Sequence, residues 1–331
     1  MRVESRFVCP RCVGALREQG SILRCDSCNK EFPVIEGIPR FISDSTHDNF
    51  ALQWHRFAKT QLDSVNGSGV TRQRLLDQSQ LAPSDFKGRS ILEVGCGAGR
   101  FTEILLDFGA RVHSVDYSTA IEVCAENNRD ALQAGRLTLA QADVFHLPFR
   151  PRGFDIVFGY GMLQHTGDPR RAMHCLWERV RPGGLLLVDR YQIGLRTLHP
   201  IKYLIRPFTK RFSSARVLSW AETLCRVVVP VQRRLLGRLQ GTGPAAVMRY
   251  LINRSPNSTY PLNLELGGLL PADLTLSYSV MDTFDMWAPK YDKPQTHRSW
   301  KRDIQRLEGG HVYFVSSSGQ GNVAVVERSL H

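Results

Sequence analysis

Four cysteines open the chain in two pairs, Cys9-Pro10-Arg11-Cys12 and Cys25-Asp26-Ser27-Cys28, with twelve residues between them. A short hairpin brings thiolates at this spacing together, and four of them saturate a tetrahedral Zn²⁺. Cys9, Cys12, Cys25 and Cys28 are therefore expected as structural metal ligands. So short a segment cannot bury enough apolar surface to fold alone, and metal binding would contribute its folding free energy. Redox-active CxxC pairs are the alternative, but they accompany a βαβ pattern that this stretch lacks. Cys96, Cys124, Cys175 and Cys225 are scattered singly, which points away from a disulfide framework and towards a reducing compartment.

A second set lies in Glu93-Val94-Gly95-Cys96-Gly97-Ala98-Gly99-Arg100. Glycines after a strand let the backbone approach a ligand closely before a helix opens. Asp116, 21 residues beyond Gly95, ends the next apolar run, where an α/β nucleotide site needs a carboxylate for ribose hydroxyls, and Asp143 ends the third. The spacing is G-x-G-x-G, not the dinucleotide fingerprint G-x-G-x-x-G, and favours a nucleoside without a pyrophosphate. His165 is the first candidate for a general base, because imidazole accepts a proton near neutral pH, and Asp189 is the second.

Positioning these groups requires alternating strands and helices. Apolar strands are expected at Ile91–Val94, Val112–Val115, Leu137–Ala140, Ile156–Phe158 and Leu185–Val188. Thr119 with Glu122 reads as a capping box, and Asp168-Pro169 as the cap of a helix that stops at Arg181-Pro182-Gly183-Gly184. Asp155 is read as a strand-start residue, and Cys96 and Cys124 as small side chains in the core. The tail reads as a helix over Thr296–Leu307 and two strands, His311–Ser317 and Asn322–Glu327, joined through Gly319-Gln320-Gly321. The fold class is α/β, a doubly wound, mostly parallel sheet.

As a set, LEVGCGAGRF, VDYS, QADVFHLPF, FDIVFGYGMLQHT and RPGGLLLV resemble, in order and spacing, the motifs of class I S-adenosylmethionine-dependent methyltransferases over residues 90–189. The resemblance implies S-adenosylmethionine as cofactor. Glu93, Gly95, Cys96, Gly97 and Gly99 would lie at its methionine part, Asp116 at the ribose, Asp143 and Val144 at the adenine, and Tyr160 to His165, Gln164 included, on the reaction side, with Tyr117 also among the cofactor-binding residues. FPVIEGIPRFI, Phe32–Ile42, extends a further resemblance, to the zinc ribbon of small proteins that activate tRNA methyltransferases. Phe50–Leu62 resembles the helical lead-in of ribbon-bearing members, with Gln53 and Trp54 as lid candidates. Asp282, Asp285, Trp287 and Tyr291 resemble a segment of bacterial sugar and natural-product methyltransferases, where they would line an acceptor pocket.

The 331 residues, 42% hydrophobic, suit one large core and a small satellite. The expected organisation is a ribbon at 1–42, a helical lead-in at 43–89, the cofactor core at 90–189, a basic helical insertion at 190–281 and a completing helix and hairpin at 282–331. The net charge of +12 resides in the insertion: Arg190 to Arg254 hold thirteen Lys plus Arg against one acid, Glu222. Within it Val217, Trp220, Leu224, Val228, Val231, Leu235 and Leu239 recur at helical spacing, and Pro230 is expected to divide two amphipathic pieces. This segment reads as a lid over the acceptor, as a surface for anionic membrane, or as an RNA-binding face. A cytoplasmic protein is expected, with peripheral membrane attachment as the variant. The functional expectation is methyl transfer to O or N of a small-molecule, glycan or lipid-linked acceptor. RNA-base methylation and a non-catalytic activator that keeps the fold are the rivals.

Overall fold

The computed structural model describes residues 7–42, 48–194, 199–239, 242–318 and 321–330. The chain forms two compact units: 1–47, 74–197 and 291–331 in one, 48–73 and 198–290 in the other. This grouping differs from the segments expected above. The ribbon and the core share a unit, the lead-in divides at residue 73, and residues 282–290 join the helical unit.

Along the chain the ribbon contributes β1 (Leu16–Gln19), β2 (Ile22–Cys25), β3 (Glu31–Ile35) and β4 (Ile38–Pro39), an antiparallel meander. Next come α1 (Asp48–Arg56), α2 (Asp63–Asn66), α3 (Val70–Ser79) and α4 (Pro83–Phe86). The core alternates as β5 (Ser90–Val94), α5 (Arg100–Asp107), β6 (Arg111–Asp116), α6 (Ala120–Asn127), α7 (Arg129–Gln133), β7 (Leu137–Gln141), β8 (Phe154–Gly159), α8 (Pro169–Trp177) and β9 (Val180–Arg190). Five helices follow: α9 (Pro200–Thr209), α10 (Ser214–Arg238), α11 (Pro244–Ile252), α12 (Tyr260–Leu266) and α13 (Ala272–Trp287). The chain ends with α14 (His297–Gln305), β10 (Gly310–Ser318) and β11 (Gly321–Arg328).

The large sheet has the order β10-β11-β9-β8-β5-β6-β7. Pairs among β5 to β9 are parallel, and β11 joins β9 and β10 antiparallel. Its inner strands are largely buried on both faces, so side chains alternate between two cores, whereas the described residues of the edge strand β10 are exposed or half-buried. Leu92, Leu186 and Val326 enter the core shared with the ribbon, α8 and α14. Ile91, Leu187 and Val325 enter the core beneath α3, α5 and α6. The chain runs β5, β6, β7 to one side and returns through β8 and β9 to the other, placing the switch point beside β5. There the carboxyl ends of the strands open a crevice for ligands.

The ribbon is fastened to the sheet. Arg40 forms a bridge with Gln141 at the end of β7, and the Phe41 N–H donates to the Gln141 carbonyl at 2.8 Å. Phe7 packs on Phe41 and Phe149, both at 5.4 Å between ring centroids.

Three local expectations change. Thr119 caps no helix with its side chain; Ser118 Oγ accepts from the Ala120 N–H instead, while Glu122 pairs with Arg40 at 2.8 Å. Residues 214–238 form one 25-residue helix that contains Pro230. Pro230 lies on the exposed side, where water can satisfy the carbonyl it frees, and buried Ala221, Cys225, Val229 and Leu236 hold both halves. The buried stripe of α10 also sits off the expected register, leaving Trp220, Val231 and Leu235 exposed. Asp168 caps α8 as expected, accepting from Arg170 and Arg171. Of the expected hairpin turn, Gly319 and Gln320 lie outside the described residues. No helix among the described residues is long and apolar enough to cross a membrane.

Candidate active site

The turn from β5 to α5 follows from backbone sterics. Gly95, Gly97 and Gly99 have φ of +79°, +54° and +89°, a region that side chains disfavour. At Gly95 a Cβ would stand 2.7 Å from Met162 Cβ, and at Gly99 2.8 Å from Cys124 Sγ. Cys96 is buried within this turn, so its small size suits it.

One carboxylate holds the turn itself and a second braces the elements around it. Asp116, at the end of β6, accepts from the Gly97 N–H at 2.9 Å with one oxygen and from the Ser118 N–H and hydroxyl with the other. Glu93 is almost fully buried, and one of its oxygens accepts from Thr102 Oγ1 at 2.6 Å and Ser114 Oγ at 2.7 Å. Burial pushes its carboxyl up to about 7, against the opposing pull of these two hydroxyls. Glu93 thus ties α5 and β6 to β5 from inside. Asp143 accepts from the Phe145 N–H at 3.0 Å and stands 3.5 Å from His146, while Val144 is buried beside it. The Tyr117 carbonyl accepts from Gln141 Nε2 at 3.0 Å.

The loop after β8 forms the other wall. Tyr160 packs against Phe158 with ring centroids 4.4 Å apart and planes tilted by 42°, and burial raises its phenol well above the usual range. Gln164 is fully buried and donates to the Gly161 carbonyl at 2.7 Å. Both keep a buried oxygen without a hydrogen-bond partner among the described residues, Tyr160 Oη and Gln164 Oε1. Orphaned polar atoms in a protein interior are costly and mark places where a ligand or water completes the bonding. His165 Nδ1 lies 3.1 Å from the Tyr291 carbonyl, which can only accept. In the neutral ring Nδ1 therefore carries the proton and Nε2 the basic lone pair. Asp189 accepts from the Gly161 N–H at 2.6 Å and from Arg74 Nη2 at 2.7 Å, so donors occupy both its oxygens.

Sequence reasoning missed Arg74, Thr102, Ser114 and the Tyr291 carbonyl. Thr102 was within reach as one turn into α5, but Arg74 is separated from its partner by 115 positions and no motif announces it. Trp287, expected near an acceptor, is instead buried in the helical unit and donates to the Pro256 carbonyl at 3.1 Å. Gln53, a lid candidate, is buried, and Trp54 packs partly buried among the apolar residues of the helical unit.

In the ribbon the four cysteine sulfurs lie within 4.8 Å of one another, with Cys9–Cys28 at 3.6 Å and Cys12–Cys25 at 3.5 Å. Sulfurs about 2.3 Å from one tetrahedral Zn²⁺ sit about 3.8 Å apart, so the set fits that ion.

Residues 92–188 match the methyltransferase domain family. The match runs from β5 to the end of β9 and takes in the glycine turn, Asp116 and Asp143. Over residues 92–188 the chain carries a methyltransferase domain. The chain is 32% identical over 144 residues to the mitochondrial ubiquinone biosynthesis O-methyltransferase of Schizosaccharomyces pombe, covering 41% of the chain and 52% of that protein. The enzyme of the same name from Coxiella burnetii is 33% identical over 100 residues, 30% of this chain and 42% of that one. Phosphoethanolamine N-methyltransferase 2 of Caenorhabditis elegans is 29% identical, covering 33% and 26%. The chain spans about half or less of the length of these relatives.

Proposed function

We propose that the protein binds S-adenosylmethionine in the crevice beside β5 and transfers its methyl group to an oxygen or nitrogen of a small-molecule acceptor. The observation that carries this reading is the turn of three left-handed glycines clasped by Asp116. Gly95 to Gly99 would accommodate the methionine part, Asp116 the ribose hydroxyls, and Asp143 with Val144 the adenine. The unpartnered oxygens of Tyr160 and Gln164 suit donors of a bound ligand. Bound S-adenosylmethionine supplies an electrophilic methyl on a sulfonium. The protein has to align the acceptor and exclude water.

When the acceptor is a hydroxyl or an ammonium, a proton must leave it as the carbon bond forms. His165 is the base of this reading, because its Nδ1–H is anchored and its lone pair lies on Nε2. Asp189 is a positioning residue that fixes the Gly161 loop through Arg74. The O- and N-methyltransferase names of the relatives support a hydroxyl or amine acceptor. Cys9, Cys12, Cys25 and Cys28 would hold a structural Zn²⁺, with all four positions filled by protein.

The test is incubation with methyl-labelled S-adenosylmethionine and an extract of the source cells, followed by separation of RNA, protein, organic-soluble and polar products. Label in the organic-soluble or polar fraction is expected. Label in RNA alone would replace the small-molecule acceptor with a nucleobase.

A further inference from the structure

Helix α10 carries two apolar faces. One, with Val217, Ala221, Cys225, Val229 and Leu236, is buried within its own unit. At 3.6 residues per turn, Trp220, Val227, Val231 and Leu235 form a second stripe, centred roughly a third of the way around the helix from the first, and all four are exposed, Val227 by 66%. The rim of this stripe is basic: Arg216, Arg234 and Arg238 are exposed beside it.

The neighbouring helices repeat the pattern. Leu204 and Phe208, 69% and 64% exposed, share a face of α9 with Phe212 just beyond it. The Phe212 ring meets Trp220 edge-on at 4.9 Å, joining the α9 stripe to that of α10, and Arg216 stands over Phe212 at 5.6 Å. At the far end of α10, Arg249 of α11 donates to the Leu239 carbonyl at 3.2 Å. Helix α11 is PAAVMRYLI, yet it has no buried residue; Val247, Met248 and Leu251 all face outward.

We propose that the exposed faces of α9, α10 and α11 dock on the headgroup layer of an anionic bilayer. Apolar and aromatic side chains flanked by Arg and Lys are what an interfacial helix needs, the former entering the acyl boundary and the latter meeting lipid phosphates. Charge selects this occupant over a neutral apolar partner. Between residues 199 and 254, Lys210, Arg211, Arg216, Arg226, Arg234, Arg238 and Arg249 are exposed, whereas the one acid there, Glu222, is partly buried beside Arg56 at 3.4 Å. A second copy of the same surface would bring this excess positive charge against itself. None of these helices is long and apolar enough to span the membrane, so the surface lies on it.

The experiment is co-sedimentation of the full chain with phosphatidylcholine vesicles made with or without phosphatidylglycerol. Binding is expected with phosphatidylglycerol and should weaken with salt. Val247→Glu combined with Leu251→Glu should lower the bound fraction roughly tenfold, because charges enter the acyl boundary. Arg234→Glu with Arg238→Glu should weaken binding and flatten its salt dependence. All four positions are exposed, so thermal melting should match the parent and separate lost docking from lost folding. The proposal fails if the parent binds neither vesicle, or if both variants bind as the parent does. It also fails if ultracentrifugation shows a dimer that Val247→Glu with Leu251→Glu dissolves while vesicles bind nothing. No readout here needs methyl transfer, so the result is independent of the acceptor reading.

Discussion

Asp116 does two tasks that loss of its carboxylate removes together. Its carboxylate holds the Gly97 N–H and, in the reading above, would accept from ribose hydroxyls. A hydrogen bond to a charged group contributes about 1.5–3 kcal/mol, so Asp116→Ala should weaken S-adenosylmethionine binding by roughly 10- to 100-fold in titration calorimetry. Glu93 has a signature in pH. Its carboxyl stands at about 7 in the fold against an ordinary 4.5. Below pH 4.5 both folded and unfolded chains hold the proton, and the stability is complete. As pH rises to 7 the unfolded chain releases the proton first, so folding loses about 3 kcal/mol, with no further loss above. Glu93→Gln lacks this loss, and urea titrations of the two proteins should diverge in the variant's favour across that window. Asp116 was legible as a carboxylate at a strand end. The inward turn of Glu93 was not, because Thr102 and Ser114 reach it only once α5 and β6 are packed.

Elements carry the next set of consequences. The ribbon is continuous with the edge of the large sheet through Arg40, Phe41 and Phe7. Cys25→Ser with Cys28→Ser should abolish bound zinc in elemental analysis and lower the melting temperature. An unchanged melting temperature would remove the metal from the folding of this unit. On the other side, Trp300 of α14 is fully buried and donates to the Val323 carbonyl at 3.3 Å. Trp300→Ala should cost about 3–5 kcal/mol in chemical denaturation, the range for deleting a large buried aromatic. All five expected core strands are present, because strands buried on both faces leave continuous apolar runs. The cap of α6 and the phase of α10 were read less well. Ser118, one residue before Thr119, takes the Ala120 N–H in its place, and a helix with two apolar faces offers periodicity alone no way to choose between them.

At the scale of the molecule, a ligand that binds only the folded chain stabilises it by mass action. S-adenosylhomocysteine at about 100 times its dissociation constant adds about 2.7 kcal/mol, a rise of several degrees in scanning fluorimetry that Asp116→Ala, with its roughly 10- to 100-fold weaker binding, should cut to what about 0.4–1.4 kcal/mol supplies. The sequence by itself determined the α/β sheet, the glycine turn, the strand-end acids and the cysteine quartet. Each of these is written in local patterns: apolar runs, φ-permissive residues and short ligand spacings. Only the tertiary structure decided that residues 48–73 belong with 198–290, and that Arg74 neutralises Asp189 while a remote carbonyl sets the tautomer of His165. It alone decided which face of α10 stays exposed. These depend on partners brought together from far apart in the chain, and local periodicity and propensity carry no information about such pairings.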